Sequence, residues 1–496
     1  MSHKSSKIIG GIAMRFNKRL KESYNKQVSK PEDYQKVADS VEIKKTHHTL
    51  FKSLKITAIV TTSSVGALVL AFGGFVLISS LKTVENVKSI KKARFSVYDT
   101  NLVKSETFKS LNEIHYTEEK ESNSIDTAFI KNVNAFASNS FSKVSTDKNV
   151  AYSPLMLYTQ LDLISCAVSD DETKNQFDSV LLTSDIAMRE NNIYRSMRNN
   201  FFVNKETKNT VQTKNAVFVD SDFGANPQFV DDLSKRNAEV YEMDFQTKED
   251  VNKAAEWINQ SVNEPGFINA DYLEVKEDSA LLFLSSLYFD NSWSTKYKTH
   301  DTKKATFYIT SDETTDVDFM NHAFYGKISE YDKYVSVTDQ YSSGYSIQFF
   351  VPKNISDSIF ELLPNDFLSV LDTEYKMISL SLPKMSLICE SDLSQIVKDL
   401  GITNPYISHS NHLVNAFKDQ DSVLYSYLNY TKQKTSLSFS EDGTVVKSVV
   451  ISMGAAGKAA PGRSGYEIEL NQPFVYCIRD ISGLPLILGS VLNPNK

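Results

Sequence analysis

Cysteine is rare in the sequence, and the few cysteines lie far apart. Three occur among 496 residues, Cys166, Cys389 and Cys477, and each sits in an apolar stretch. A zinc site would need paired cysteines or nearby histidines at short spacing. We therefore expect three buried small side chains and no metal site.

The motifs that would mark an enzyme are also missing. In the glycine-rich stretch "GAAGKAA", Ser452 stands where a phosphate-binding loop needs its first glycine, and Ala459 replaces the hydroxyl residue after Lys458. There is no His-Glu-x-x-His motif, and "GRSGY" lacks the spacing of a Gly-x-Ser-x-Gly nucleophile elbow. We therefore expect no catalytic residue, no enzyme activity and no cofactor.

Charge is unevenly distributed along the chain. The formal net charge is −7, yet residues 1–55 hold 13 Lys and Arg against 5 Asp and Glu. The acidic remainder has no basic patch interleaved with aromatic residues, so no nucleic-acid partner is expected. A hydrophobic content of 41% predicts that most of the chain is globular.

One long uncharged run, residues 56–81, predicts a membrane-spanning helix. Its 26 residues would extend about 39 Å as an α-helix, longer than a hydrocarbon core of about 30 Å. The run lies too far from residue 1 for a cleaved signal peptide, so we expect an uncleaved, single-pass signal anchor. The basic tail at 1–55 favours a main domain that is extracellular or lumenal, and residues 82–125 predict a polar stalk.

From residue 126 the pattern becomes that of a globular α+β domain. Apolar residues at helical spacing predict a helix over 127–141, and Ser153 followed by proline predicts the start of another. The nearly continuous apolar run at 279–293 predicts a central strand that is covered on both faces. Helices come first and strands dominate later, which predicts a large mixed sheet.

These segments, in this order, resemble the serpin family over residues 126–496, the length of one serpin domain. No single match is specific, but six in the same order are. The matching segments are "NVAYSPLMLYTQLDL", "NAVFVDSDFGANPQFVDDL", "LLFLSSLYFDNSWSTKY", "ISLSLPKMSL", "FSEDGT" and "NQPFVYCIRDISGLPLILGSVLNP". The resemblance implies a serpin fold with three β-sheets, eight to nine helices and an exposed reactive loop at about 441–466.

The resemblance also implies a function. Serpins offer the reactive loop to a target protease, which cleaves it and is trapped as an acyl-enzyme while the loop inserts into the central sheet as a new strand. The implied partner is a serine protease of trypsin-like specificity or a cysteine protease. We expect the chain to be monomeric.

The residues after the hinge fit such an inserted strand. By resemblance, the hinge comprises Glu441, Asp442, Gly443 and Thr444. Alternate side chains of a strand face the core, and the inward set that starts at Thr444 is small or β-branched and carries no charge, whereas Lys447 faces outward. The inward positions are Thr444, Val446, Ser448, Val450 and Ser452.

Two features depart from the family pattern. The stretch after the hinge reads "VVKSVV", where inhibitory members usually have alanine, and this bulk could slow insertion although β-branched residues form strands well. In the region where the sheet parts, Ser153 and Trp293 match the family. Ser285 and Gln433 occupy places where the family often has asparagine and histidine.

The cleaved bond is left open by the sequence. Family spacing from Gly443 reaches the neighbourhood of Lys458, which is the first choice for a trypsin-like enzyme. Arg463 offers a second basic bond, further along a loop that is already longer than usual. The candidate residues are Gly457, Lys458, Ala459, Arg463 and Ser464.

Two functions therefore remain open. One is a membrane-anchored protease inhibitor that acts by loop insertion. The other is a non-inhibitory binding or structural protein of the same fold, whose loop is only a substrate. A sharp rise in melting temperature after loop cleavage would distinguish them, because only an inserted strand adds stability.

Overall fold

The computed structural model describes residues 109–112, 125–143, 147–203, 209–276, 278–355, 357–369, 374–446 and 465–496. The expected basic tail (1–55), the expected membrane helix (56–81) and most of the expected stalk (82–125) lie outside these residues. Within the described ranges, no helix is long and apolar enough to cross a membrane.

The described residues contain eight α-helices, a number within the expected range. Five of them begin at side-chain caps; Asp126 accepts a hydrogen bond from the Ala128 amide, and Ser153 accepts one from the Met156 amide. The helices are α1 (Thr127–Phe141), α2 (Pro154–Ser165), α3 (Asp171–Val180), α4 (Ile186–Asn199), α5 (Pro227–Lys235), α6 (Lys248–Ser261), α7 (Ile359–Leu362) and α8 (Ser394–Leu400).

The strands of the described residues form two mixed sheets. They are β1 (Val150–Tyr152), β2 (Phe202–Val203), β3 (Thr210–Asp220), β4 (Ala238–Met243), β5 (Leu281–Ser292), β6 (Lys303–Tyr308), β7 (Thr314–Glu330), β8 (Tyr334–Gln340), β9 (Ser346–Pro352), β10 (Glu374–Pro383), β11 (Met385–Asp392), β12 (Lys432–Phe439), β13 (Gly443–Val446), β14 (Tyr466–Glu469), β15 (Phe474–Arg479) and β16 (Pro485–Val491).

The expectation of three separate sheets is wrong for the described residues. One sheet has nine strands in the order β1-β16-β15-β9-β8-β7-β10-β14, with β6 also paired to β7. The 17-residue strand β7 joins what would otherwise be two sheets, because it pairs with β6 and β10 along most of its length and with β8 at its end. Continuous hydrogen bonding along one long strand therefore merges two expected sheets into one.

The second sheet has seven strands in the order β11-β12-β13-β5-β3-β2, with β4 also paired to β3. Its two faces are covered by different helices. On the core side, α2 packs against the face that carries Phe283 and Phe289. On the opposite side, α6 covers the face that carries Leu284. The strand β5 is therefore central and covered on both sides, which agrees with its nearly uninterrupted apolar sequence.

The three cysteines are unpaired. Cys389 and Cys477 are buried, as expected, whereas Cys166 at the end of α2 is partly exposed.

A short part of the expected stalk contacts the edge of the seven-stranded sheet. The Leu111 amide donates to the Val240 carbonyl of β4 at 2.8 Å, and the Val240 amide donates to Asn112 Oδ1 at 3.0 Å. Asn112 Nδ2 donates to the Ser234 hydroxyl at 2.8 Å and to the Ala238 carbonyl at 2.9 Å. Residues 109–112 therefore satisfy backbone groups of an edge strand that would otherwise face solvent.

We predict that Asn112→Ala lowers the free energy of unfolding of the full-length chain by about 2 kcal/mol or more, because four hydrogen bonds of one side chain are lost and each contributes about 0.5–1.5 kcal/mol. The measurement is urea unfolding followed by circular dichroism. The matched control is Asn354→Ala, which removes an exposed amide with a single side-chain partner, Asp357. Equal midpoints for the two variants would show that the contact with β4 contributes nothing.

Candidate functional site

The expected hinge forms a strand inside the seven-stranded sheet. Strand β13 lies between β12 and β5 and is antiparallel to both. Gly443 and Thr444 are opposite Ser292 and Asn291 of β5, and Thr444 is also opposite Phe439 of β12. The first residues after the turn therefore form a short strand that is paired on both sides.

Gly443 is required here because the backbones approach closely. A Cβ atom at this position would lie 2.1 Å from the Asn291 carbonyl oxygen and 2.8 Å from Ser292 Cα. Both atoms belong to the backbone of β5, so a side chain can be accommodated only if the hinge or β5 moves. Close approach to a neighbouring strand is one of the uses of glycine within a sheet.

Thr444 is fully buried and points to the core side of the sheet. The hydroxyl of Tyr341 donates to Thr444 Oγ1 at 2.6 Å, and burial raises the pKa of Tyr341, so this hydroxyl stays protonated. Tyr341 in turn stacks on Trp293 with ring centroids 4.9 Å apart. Trp293 Nε1 donates to the Ser440 carbonyl at 2.8 Å, so one aromatic pair contacts both sides of the turn that precedes β13.

Charged side chains hold the tip of that turn. Glu441 Oε2 lies 2.9 Å from Lys384 Nζ, and the Thr302 hydroxyl donates to Glu441 Oε1 at 3.0 Å. Burial opposes ionisation of Glu441, but these contacts outweigh it and lower the pKa of the carboxyl. The stabilisation is therefore present at neutral pH and is lost only when the pH falls through the lowered pKa. Asp442 makes a more exposed ion pair with Lys296 at 3.0 Å, which is expected to contribute little.

Beyond β13, a cavity follows the line between β5 and β12. Residues 281–288 of β5 and 432–437 of β12 have no described strand between them. A cavity of about 230 Å³ is bordered by these segments, by α2 on the core side and by the chain that follows α6 on the other side. The cavity therefore continues the line of β13 between the two strands.

The four residues expected where the sheet parts are placed in two groups. Trp293 lies at the hinge. Ser153 and Gln433 are in direct contact further along the cavity: the Ser153 amide donates to Gln433 Oε1 at 2.8 Å, and the Ser153 hydroxyl donates to the Leu486 carbonyl at 2.6 Å. Ser285 borders the same cavity, and its buried hydroxyl has no protein partner in the part of the chain that the structure describes.

The remaining expected site residues lie outside the described residues. These are the scissile-bond candidates Gly457, Lys458, Ala459, Arg463 and Ser464, and the inward positions Ser448, Val450 and Ser452. Val446 is the last residue of β13, opposite Phe289. The structure resumes at Gly465, just before β14, which pairs in parallel with β10.

The structure adds residues that sequence reasoning did not find. Tyr341 contacts Thr444 from 103 positions away in the chain, and no motif marks it. Asn215 pairs across β3 and β5 with Ser285, and Asn291 lies opposite Thr444. Both asparagines are buried, and their amide groups have no partner in the described ranges. A polar residue within the largely apolar run of β5 was the available signal for Asn291, whereas the sequence of β3 is itself half polar and gave none for Asn215.

The comparisons with known proteins agree on one family. A family model described as Serpin (serine protease inhibitor) matches residues 131–494. Serpin-Z3 of Arabidopsis thaliana is 25% identical over 391 residues, which cover 71% of this chain and 93% of that protein. Glia-derived nexin of Rattus norvegicus is 24% identical over 385 residues, which cover 72% of this chain and 90% of that protein.

Solved structures show the same fold at lower sequence identity. Tengpin, a thermophilic serpin, in its native state has a TM-score of 0.66 and 20% identity, and the match covers 78% of this chain and 99% of that one. Thyroxine-binding globulin in complex with thyroxine has a TM-score of 0.61 and 19% identity, with 74% and 100% covered.

We predict that Gly443→Ala displaces β13 from the sheet, because the new Cβ atom cannot coexist with the Asn291 carbonyl. The strain should cost about 1–3 kcal/mol if the strand stays in place, so withdrawal is favoured. The measurement is amide hydrogen exchange at residues 444–446, which should become faster. Thr444→Ser is the control, since it keeps the hydroxyl that Tyr341 contacts and should exchange like the parent. Unchanged protection in Gly443→Ala would contradict the close-packing argument.

Proposed function

Because the chain belongs to the serpin family, we propose that it inhibits a serine or cysteine protease by inserting its cleaved loop between β5 and β12. The observation that carries the proposal is the position of β13. Gly443 and Thr444 are already paired with both neighbouring strands, so the expected insertion needs no new register. It needs only the extension of an existing strand.

The extended register supports the proposed path. If β13 continues with its present pairing, Ser448 lies between Leu287 and Thr435, and Val450 lies between Ser285 and Gln433. These neighbours border the cavity or face the core. Small and apolar side chains can enter such a position, whereas an unpaired charge there would cost several kcal/mol.

The proposed target is a protease of trypsin-like specificity that cleaves after Lys458. Arg463 is the alternative site, and its greater distance from Gly443 would leave slack between the inserted strand and the trapped enzyme. Such slack weakens the positional distortion on which trapping depends. We assign the domain no enzymatic role of its own.

We further propose that residues 56–81 anchor the protein in a membrane as a single-pass helix. The support is the uncharged run of 26 residues, which is long enough to cross a bilayer. With the basic tail inside, the inhibitor domain would be extracellular or lumenal. Its loop would then meet proteases at a membrane surface.

A second candidate function is supported by one observation, the stretch "VVKSVV" that follows Thr444. Branched side chains are bulkier than the alanines usual in inhibitory members. If insertion is slower than hydrolysis of the acyl-enzyme, the loop is cut and the protease is released. The domain would then be a non-inhibitory binding or structural protein.

We predict that exchanging Lys447 and Ser448 abolishes inhibition. The double variant Lys447→Ser, Ser448→Lys keeps composition and net charge but moves one ammonium group from the outward to the inward face. Full-length chain is mixed with trypsin in detergent micelles. The parent should form a complex stable in SDS gels, and its cleaved form should melt at a sharply higher temperature. Mass spectrometry of the released fragment distinguishes a start at Ala459 from one at Ser464.

The control for this experiment is Lys447→Ser alone, which removes the charge without burying one. It should form the complex and gain thermal stability like the parent. The double variant should be cleaved at the same rate and should show neither effect. If the double variant gains stability equally, or if the parent gains none, the insertion mechanism is wrong and the non-inhibitory function is favoured.

We also predict that deletion of residues 56–81 releases the protein from membranes. The parent should remain in the pellet after alkaline carbonate extraction of expressing cells, and the deletion variant should move to the supernatant, because the only long uncharged run has been removed. Deletion of residues 83–108, a segment of equal length, is the control and should leave the protein in the pellet. A parent found in the supernatant would rule out the anchor.

A further inference from the structure

The segment after α6 crosses the outer side of the cavity between β5 and β12. We refer to residues 262–276 as the linker. Ile268 and Leu273 of the linker pack on the outer face of the sheet with Leu284 of β5. Phe267 and Tyr272 border the cavity together with both strands. The linker is therefore the outer wall of the space that an inserted strand would enter.

Two lysines of β12 point to this wall because of strand alternation. Gln433 faces the core side, where it contacts Ser153, so Lys432 and Lys434 face the linker. Both are mostly buried for lysines, with 18% and 22% of the side chain exposed. Buried ammonium groups need compensating partners, and the linker provides them.

The partners of the two lysines are mainly aromatic rings. Lys432 Nζ lies 4.3 Å from the ring centroid of Tyr272 and 4.5 Å from that of Tyr430. Lys434 Nζ lies 5.5 Å from the Tyr272 centroid and 5.6 Å from that of Phe267. All four distances are within the range of cation–π attraction.

Ion pairs and one hydrogen bond complete the arrangement. Lys432 Nζ is 2.6 Å from Glu274 Oε1 of the linker, whereas Lys434 Nζ is 2.9 Å from Glu390 on β11. The hydroxyl of Tyr430, just before β12, donates to the Leu273 carbonyl. The linker leads into β5, so these contacts attach the β5 side of the cavity to β12.

We propose that Tyr272, Lys432 and Lys434 form a latch that sets the rate at which the cleaved loop inserts beyond Ser448. Continuing the register of β13 places Val449 beside Lys434 and Ile451 beside Lys432, with both side chains on the outer face. Insertion as far as Ser448 does not reach the latch. Insertion of residues 449–451 requires space between the sheet and the linker. The side chains of Lys432 and Lys434 and the aromatic rings that they contact occupy this space.

This inference rests on the proposed insertion mechanism but is separable from it. The latch stabilises the state before insertion and is displaced before insertion is complete. Weakening it should therefore speed insertion without changing the final product. A residue that merely stabilised the fold would instead change the melting temperature of the cleaved form as well.

The test is the double variant Lys432→Met, Lys434→Met of the full-length chain, which keeps the apolar stems and removes the charges. After rapid cleavage by trypsin, insertion is followed by the change in the fluorescence of the two tryptophans, Trp257 of α6 and Trp293 at the hinge. We expect insertion about tenfold faster than in the parent, since a cation–π contact contributes about 0.5–1 kcal/mol or more and about 1.4 kcal/mol corresponds to a factor of ten. The melting temperature of the fully inserted product should be unchanged.

Three comparisons make the outcome decisive. Lys398→Met removes a cation–π contact in which Nζ lies 5.0 Å from the ring centroid of Tyr406. Lys398 is on α8, which does not border the cavity, so the loop of this variant should insert at the parental rate. Lys432→Arg keeps the charge over the rings and should also behave as the parent. If the double variant folds poorly, Lys434→Met alone should accelerate insertion about threefold.

The latch is refuted if the double variant inserts at the parental rate, or if Lys398→Met accelerates insertion equally. A parent that shows no insertion at all after cleavage refutes the proposed function instead. The two failures are therefore distinguishable in the same experiment.

Discussion

The close contact between Gly443 and the backbone of β5 is the constraint on which the site depends. A Cβ atom at position 443 would lie 2.1 Å from the Asn291 carbonyl oxygen, so only glycine fits there. This close approach lets the hinge enter the sheet directly after a tight turn. Once Gly443 is in place, alternation puts Thr444 on the core side, within reach of Tyr341. The register set by these residues then determines what any further inserted residue would meet.

The sheet around the cavity retains polar groups that its packing does not satisfy. Asn215 is on β3, Ser285 and Asn291 are on β5, and their buried polar atoms have no partner within the described residues. A buried polar group without a hydrogen bond costs about 1–3 kcal/mol, and such groups are uncommon enough to require an explanation. We interpret them as part of a sheet that is not packed at its most stable, which is what the proposed insertion of the cleaved loop would require.

Local patterns in the sequence predicted much of the fold, but they could not predict contacts between residues that are far apart in the chain. Helical spacing predicted α1, and the uninterrupted apolar run predicted β5, because each depends on neighbours within one element. The merging of two sheets through β7 depends on which strands pair with β7. The periodicity of a sequence does not determine the pairing partners of a strand. Tyr341 and the aromatic partners of Lys432 are equally invisible in the sequence, since a lysine on an outward strand position is ordinarily solvated.

Whether such a loop traps a protease or is only cut depends on which step limits insertion. In the proposed inserted strand the branched residues after Thr444 would have a strand on each side, and branched side chains suit that environment, so their bulk alone would be a weak barrier. The contacts of Lys432 and Lys434 with Tyr272 lie further along the proposed path, and we propose that they are displaced as a group. Insertion is therefore expected to start readily, from a strand that is already paired, and to slow at the linker. On this view the balance between inhibitor and substrate is determined by residues of β12 and the linker more than by the composition of the loop.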